Sequence, residues 1–362
     1  MKMHTIKDSI HQDIELTGFE LSLIDTPLVQ RLRHIRQMGF AYLVYPCATH
    51  SRFEHSLGTM HLAGSLSHNL GFDELTTSEL RLAGLLHDIG HFPFSHNPEI
   101  ENCLKERLGT DHVLESASHI KTCYSEAITR AGLNPKNIID AINGKGRYGS
   151  IFSSGIDVDK MDYLVRDAYF TGTAYGLIDL SRLLYTSGFK KTLAFRMKGL
   201  RNIEAVIISR FMMYSTVYLH RTIKIATAMF GRAVTRSFAD GSIDPEDYIR
   251  MDDIDLISSL RKNHSHLASC LDNRKLHKLG SSLTVNDLTK DQISKCVSIK
   301  SNALQQIEQD IEKKLVLPKD TLIIDITPKK TLESIKMIDN GNLLNLEDIS
   351  EFSRSVMNQE WQ

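Results

Sequence analysis

The sequence predicts a mainly α-helical bundle with a small β element in its C-terminal part. Three observations carry this. Apolar residues recur at helical spacing in long stretches, above all over 203–238, which is rich in Ile, Met, Ala and Phe. Pro27, Pro98, Pro135 and Pro245 stand where helices would start, and Gly71 where one would stop. Two short runs, 192–197 and 321–326, read as strands.

Residues 20–39 place apolar side chains at helical spacing. Thr26-Pro27 opens a helix that Leu28, Leu32, Ile35 and Met38 continue. Residues 42–46 include Pro46 and are too short for a helix, so they read as an extended link to Arg52-Phe53-Glu54-His55. A helix is expected over 57–70, and another over 80–89 ended by Gly90 and Pro93. Further helices are expected over 98–108, 112–131 and 135–142, then a loop at 143–147 and a helix over 160–169 behind Asp157-Val158-Asp159. One long helix covers 203–238; before it, 192–197 with the turn Lys198-Gly199 reads as a small hairpin. Beyond 238 the texture turns polar. A short helix at Pro245, a helix over 252–271, a strand over 321–326, a turn at Asn340-Gly341-Asn342 and a helix over 346–357 are expected there. The change of texture divides the chain into a core, 1–240, and an α+β appendage, 241–362.

With 362 residues, 41% hydrophobic and 24% charged, the chain can bury a substantial core. A net charge of −1 argues against a broad nucleic-acid face. Five scattered cysteines, none in a CxxC pair, fit neither a disulfide framework nor a cysteine zinc site. The first residues lack an apolar signal region, and no run is long enough to span a bilayer. The expectation is a cytoplasmic protein without membrane contact.

The 16 histidines concentrate in the first third of the chain. His87-Asp88-Ile89-Gly90-His91 closes an apolar segment. Adjacent His and Asp bring an imidazole nitrogen and a carboxylate oxygen near one point, a mixed donor set that suits divalent Mn, Fe, Mg, Zn or Ni. His55, His87, Asp88 and Asp159 form a two-histidine, two-carboxylate set, spread along the chain as ligands from three helices of a bundle would be. A catalytic metal asks for a few such ligands and an open position. Taken singly, a helix histidine more often packs or faces solvent, and Asp157 and Asp159 would serve as a cap and a solvated charge. No structural need calls for the combination.

Six segments then carry a family resemblance: Ile24-Asp25-Thr26-Pro27, Gln30-Arg31-Leu32-Arg33, THSRFEHSLG at 49–58, HDIGHFPFSH at 87–96, GIDVDKMDYLVR at 155–166 and Tyr218-Leu219-His220-Arg221. In that order they resemble the HD-domain deoxynucleoside triphosphate triphosphohydrolases. The resemblance implies an HD-domain helical bundle and a divalent metal on His55, His87, Asp88 and Asp159. It implies attack on the α-phosphorus, releasing deoxynucleoside and tripolyphosphate. Arg52, Lys160, Arg210 and His96 would meet the phosphates, with Arg221 a further candidate; arginine's planar fork suits such oxygens. His91 and His112 would supply the leaving oxygen's proton, with Glu99 beside His112 where relatives carry Asp. Tyr218 would pack on the second carbon of deoxyribose, Gln37 and Asp167 would contact the 3′-hydroxyl with Tyr163 nearby, and Met38 stands for a leucine. Asp25, Gln30 and Arg33 match residues that bind the guanine of a (d)GTP activator in allosteric relatives, and a homo-oligomer, dimer or tetramer, would follow. Two alternatives stand beside this reading. One is an HD-type nucleotidase or phosphodiesterase on another nucleotide, which would need fewer cations than Arg52, Lys160 and Arg210 supply. The other is a non-catalytic binder of nucleotides or single-stranded DNA or RNA, against which the near-neutral charge argues.

Overall fold

Capping side chains set where most of the elements begin. The computed structural model describes residues 4–176, 178–263, 265–299, 301–327 and 333–357. It opens with an antiparallel hairpin, β1 (His4–Asp8) and β2 (Gln12–Leu16), that the sequence reading missed. Asp8 builds its turn by accepting the N–H groups of Ile10 and His11. The helix expected across 20–39 is broken into α1 (Gly18–Ile24), α2 (Pro27–Arg31) and two 3-10 turns. The break falls at Asp25-Thr26, where the Thr26 hydroxyl donates to the Leu23 carbonyl as α1 ends.

Ser51 and Glu54 form a capping box that starts α3 (Arg52–Leu70) five residues before the expected 57, and Gly71 closes it in the left-handed conformation. Asp73 caps α4 (Glu74–Leu86), which stops short, so His87 and Asp88 sit in the turn after the helix rather than within it. That turn is pressed against the next layer: a Cβ on Gly90 would lie 2.3 Å from the Ser116 nitrogen. Asn97 caps α5 (Pro98–Leu108) and Asp111 caps α6 (His112–His119), which passes through a π turn into α7 (Ser125–Arg130). Asn134 caps α8 (Pro135–Ile142), and Asp157 caps α9 (Val158–Thr171).

After α10 (Leu180–Thr186) comes the hairpin of β3 (Ser187–Phe189) and β4 (Leu193–Arg196). Its turn lies at 190–192; Lys198-Gly199 belongs instead to a 3-10 turn leading into α11 (Leu200–Met213). The single helix expected over 203–238 is two, α11 and α12 (Arg221–Ala239), because His220 caps the second with its own ring. Then follow α13 (Pro245–Tyr248), α14 (Asp253–Lys262), α15 (His266–Asp272), α16 (Lys290–Ser298) and α17 (Ser301–Leu315); Ser265 caps α15 and divides the helix expected over 252–271.

The strand expected over 321–326 does not form. The N–H groups of Leu322 and Ile324 donate to the Glu312 and Glu308 side chains of α17, so no neighbouring strand receives them. The C-terminal β element is β5 (Lys336–Asp339) and β6 (Asn342–Asn345), turning at Asn340-Gly341 as expected. β5 pairs in parallel with β4, completing a mixed sheet in the order β3-β4-β5-β6. The closing helix is split into α18 (Leu346–Ile349) and α19 (Glu351–Met357).

One apolar core joins the N-terminal hairpin, α3, α4, α9 and α11; a second joins α5, α12, α14 and α15 with Phe92 and Phe94. The segment 87–97 crosses from one to the other, Ile89 packing in the first core and Phe92 and Phe94 in the second. Among the described residues no helix is long and apolar enough to cross a membrane.

Candidate metal centre and cleft

The first turn of α3 carries His55, the turn after α4 carries His87 and Asp88, and the first turn of α9 carries Asp159. His55, His87 and Asp159 offer ligand atoms that all lie within 4.8 Å of one another. The two histidine Nε2 atoms are 3.3 Å apart, and Asp159 Oδ1 lies 3.0 Å and 4.0 Å from them. Asp88 closes the group, with Oδ1 3.2 Å from His87 Nε2 and Oδ2 4.0 Å from His55 Nε2. It is shared with Arg52 (2.7 Å) and His91 (3.1 Å). Burial would raise the Asp88 carboxyl, but His87, His91 and Arg52 hold it well below the usual range.

Protonation decides what this group can do. His55 donates Nδ1–H to Asp162 at 2.8 Å, and His87 donates Nδ1–H to the Gly84 carbonyl at 2.8 Å. With both Nδ1 positions committed as donors, both Nε2 lone pairs face the same point, which a cation satisfies and a second imidazole does not. The two carboxylates also favour positive charge at this point. Against burial, Asp159 and Asp162 draw the His55 imidazole up to about 10, so a proton holds Nε2 until a divalent cation displaces it. The residues therefore fit a divalent metal.

Behind the ligands lies a network that sequence reasoning missed. Asp162, fully buried, accepts from His55, from His11 (2.7 Å) and twice from Arg166 (2.8 and 3.0 Å). Arg166, also fully buried, reaches on to Asp8 at 2.8 and 3.2 Å. Burial would raise Asp162, but Arg166, His11 and His55 hold it well below the usual carboxylate range. A Cβ on Gly58 would lie 1.9 Å from Asp162 Oδ1, so glycine is what lets α3 and α9 close over this carboxylate. The one sequence signal was Asp162 standing three residues beyond Asp159 on a helix face.

Other expected residues gather in two groups. Buried Arg52 keeps Nε and Nη2 without a partner, as Arg210 keeps Nε and Gln37 keeps Oε1. Lys160 is held by Asp157 at 2.6 Å, and Arg210 by the Gly155 carbonyl at 3.2 Å. Tyr218 donates to Asp167 at 2.7 Å, and Tyr163 stands edge-on to Tyr218. His50, unforeseen, contacts the other Asp167 oxygen at 2.8 Å. Met38 packs at the edge of the first core.

The second group is the histidine row. His112 stacks on His91 at 4.1 Å, and His96 stands edge-on to both. Burial, aided by the Arg52 charge, pushes His91 well down; burial and the His96 charge push His112 to about 4. Glu99 does not stand beside His112. It accepts from Arg232 (3.0 Å), Thr235 (3.1 Å) and Gln305 (2.9 Å), because the buried Arg232 requires a carboxylate. Glu101, not anticipated, is the acid on the histidine side. The loop backbone, with positive φ at Phe94 and His96, is held from the C-terminal half. Tyr248 donates to the Pro93 carbonyl (2.8 Å), Asp253 accepts the N–H groups of Phe94 (2.8 Å) and Arg36 (3.0 Å), and Asn97 donates to the Thr227 carbonyl (2.7 Å).

Asp25 and Arg33 are exposed. Gln30 donates to the Ile24 carbonyl and accepts from Arg33, whose guanidinium lies 3.6 Å over the Phe53 ring. Arg221 is exposed at the start of α12.

Comparison with known proteins gives a consistent picture. The HD domain matches residues 52–167 and the HD associated region residues 178–361. The chain is 37% identical to an uncharacterized protein of Methanocaldococcus jannaschii, over 99% of this chain and 77% of that protein. It is 32% identical to a Dictyostelium discoideum protein named deoxynucleoside triphosphate triphosphohydrolase SAMHD1 homolog, over 68% of this chain and 53% of that one. It is 31% identical to SAMHD1 of Homo sapiens, over 69% and 46%. The chain thus spans about half the length of the two named triphosphohydrolases, 53% and 46%. A hypothetical protein from Aquifex aeolicus superposes with a TM-score of 0.78 at 28% identity, covering 98% of this chain and 94% of that one. A phosphohydrolase from Bacteroides thetaiotaomicron superposes at 0.79 and 23% identity, covering 99% and 98%, a likeness of fold.

Proposed function

Because the chain belongs to the HD domain family, with the HD associated region behind it, we propose that it is a metal-dependent phosphohydrolase acting on deoxynucleoside triphosphates. The observation that carries the reading is the pair of inward-facing Nε2 atoms of His55 and His87, each fixed from behind, with Asp88 and Asp159 beside them. The substrate class draws support from the named relatives and from guanidinium groups with free, buried donors. A metal bound by these four residues would polarise a phosphoryl oxygen and acidify water.

The protein's own groups then have defined tasks. Arg52 and Arg210 turn their unpartnered N–H groups to phosphate oxygens, and Lys160 adds charge from the first turn of α9. Asp167, set by His50 and Tyr218, takes the sugar 3′-hydroxyl together with Gln37. Tyr218 with Tyr163 forms the wall against which an added 2′-hydroxyl would crowd. The oxygen of water bonds to the α-phosphorus as one of its protons passes to solvent, and the bond from that phosphorus to the 5′-oxygen breaks. The departing oxygen takes its proton from the row of His91, His96 and His112, which solvent reprotonates. Deoxynucleoside and tripolyphosphate leave. Asp25, Gln30 and Arg33 form the proposed guanine site of an activating nucleotide, in a homo-oligomer.

The test is product analysis with Mn²⁺ or Mg²⁺ and each dNTP, then with dGTP added. Deoxynucleoside plus tripolyphosphate is expected, and a requirement for dGTP would support the activator site. Orthophosphate or pyrophosphate with a nucleotide product would overturn the triphosphohydrolase reading.

A further inference from the structure

Glu99 and Glu101 stand two residues apart on α5, and two residues turn a helix through about 200°. They must face opposite sides. Arg232, buried and paired with both Glu99 and Glu308 (2.7 Å), fixes Glu99 on the far side, since releasing it would leave a buried cation half-compensated. Glu101 takes the other side. Its Oε1 accepts the backbone N–H of His96 at 3.0 Å and lies 3.6 Å from His96 Nδ1. His96 holds φ at +67°, a conformation that costs a non-glycine residue, and the carboxylate on its N–H helps keep it there.

His96 in turn stands edge-on to His91 (5.1 Å between centroids) and His112 (5.4 Å), and His91 Nε2 reaches the ligand Asp88. The charged or titratable groups facing Glu101 are His96, His112 and, from α13, Tyr248; those facing His112 are His91, His96, Asp88, Arg52 and Glu101. Among the described residues no carboxylate comes within ion-pair distance of His112 itself.

We propose that Glu101 is the positioning residue of this histidine row: holding the His96 backbone N–H and standing 3.6 Å from Nδ1, its carboxylate draws the ring proton to Nδ1, favours that tautomer, and leaves Nε2 as the basic nitrogen of the ring. Burial would raise its carboxyl, but the charges of His96 and His112 hold it below the usual glutamate range, so it stands ionised for that task. Glu101 lies in the first turn of α5, where a negative charge also suits the helix dipole. Only the kinetic consequence rests on the phosphohydrolase reading; the tautomer does not.

The experiment is imidazole ¹⁵N NMR on the full chain with ¹⁵N-labelled histidine and diamagnetic Mg²⁺ or Zn²⁺ added. Wild type, E101Q and E99Q are compared. In the wild type His96 should carry its proton on Nδ1. E101Q should shift the His96 ring nitrogens toward the Nε2–H form, while E99Q leaves them in place. For dNTP hydrolysis, E101Q should lower kcat by about tenfold or more with KM little changed. An unchanged His96 spectrum in E101Q, or the same change in E99Q, would overturn the proposal. If the wild type turns over no dNTP, the substrate reading fails and the ring spectra alone decide the role of Glu101.

Discussion

Asp162→Asn isolates how the metal ligands are held. Asp162 has two oxygens and receives His55 Nδ1–H, His11 and two Arg166 donors. Asparagine has one oxygen and adds an NH₂ group, so whichever way it turns, at least one donor meets a donor. If His55 loses its acceptor, the imidazole is no longer fixed with Nε2 toward the site. Losing such a support costs roughly 10- to 100-fold in metal affinity, or about 1.4–2.7 kcal/mol. The fold suffers as well, because Arg166, fully buried, keeps Asp8 as its one ionised partner here; breaking a buried pair costs about 3–5 kcal/mol. Calorimetric titration with Mn²⁺ and thermal melting separate the two effects when Asp8→Asn is run alongside. Asp8 touches Arg166 but not His55, so D8N should lower Tm and leave metal affinity nearly unchanged. D162N binding Mn²⁺ as tightly as wild type would refute the orienting role. Equal losses in both variants would show that metal affinity merely follows general stability.

Gly58→Ala should reproduce both defects, because its Cβ would sit 1.9 Å from Asp162 Oδ1; normal melting and metal binding would show that α3 and α9 do not approach this closely. Asp253→Ala strips the acceptor from the Phe94 and Arg36 N–H groups at about 1–3 kcal/mol each, and should reduce turnover while calorimetric Mn²⁺ affinity holds; matching losses in both would count against the loop assignment. Tyr218→Ala should erode the preference for deoxy- over ribonucleotides in competition assays, and an unchanged ratio would remove Tyr218 from that wall. Burial, with the His96 and His11 charges, pushes His112 and His61 down to about 4. The unfolded chain therefore takes up protons near pH 6.5 that the folded one refuses. Stability is present above that pH and is lost toward pH 4, by up to about 1.4 kcal/mol per pH unit for a buried histidine and less for the partly exposed His61. Asp253, raised to about 6 by burial, His55, drawn up to about 10, and Asp157, raised by burial, work in the opposite sense. They are outnumbered once His91, His119 and His277, also pushed down by burial, join His61 and His112, so Tm should fall from about pH 7 to about pH 5, and a rise would refute the assignment.

Legibility in the sequence followed the range of the interaction responsible. α5 and α8 lie where they were expected because Asn97-Pro98 and Asn134-Pro135 announce them within two residues. The 321–326 run has strand-like residues, but the fate of its N–H groups depends on Glu308 and Glu312. His55, His87, Asp88 and Asp159 could be singled out because their chemistry is shared. Asp162, His11 and His50 could not, since each is defined by a partner more than a hundred residues away, such as the 107 between His55 and Asp162. Glu99 was named by resemblance alone; only the position of Arg232 on α12 shows that it faces away from the histidines.

The loop of residues 91–97 is part of one matched segment by sequence and of the other by attachment, through Thr227, Tyr248 and Asp253. The metal ligands have no such debt; they stand wholly on α3, the turn after α4, and α9. For this loop the two segments are therefore one structural unit. Recombination that swapped the associated region for a distant cousin's would leave a competent metal holder whose histidines hang from anchors belonging to a different lineage. Drift at positions 248 and 253 is answerable to a loop encoded some 150 residues earlier, as the 159 residues between Phe94 and Asp253 attest.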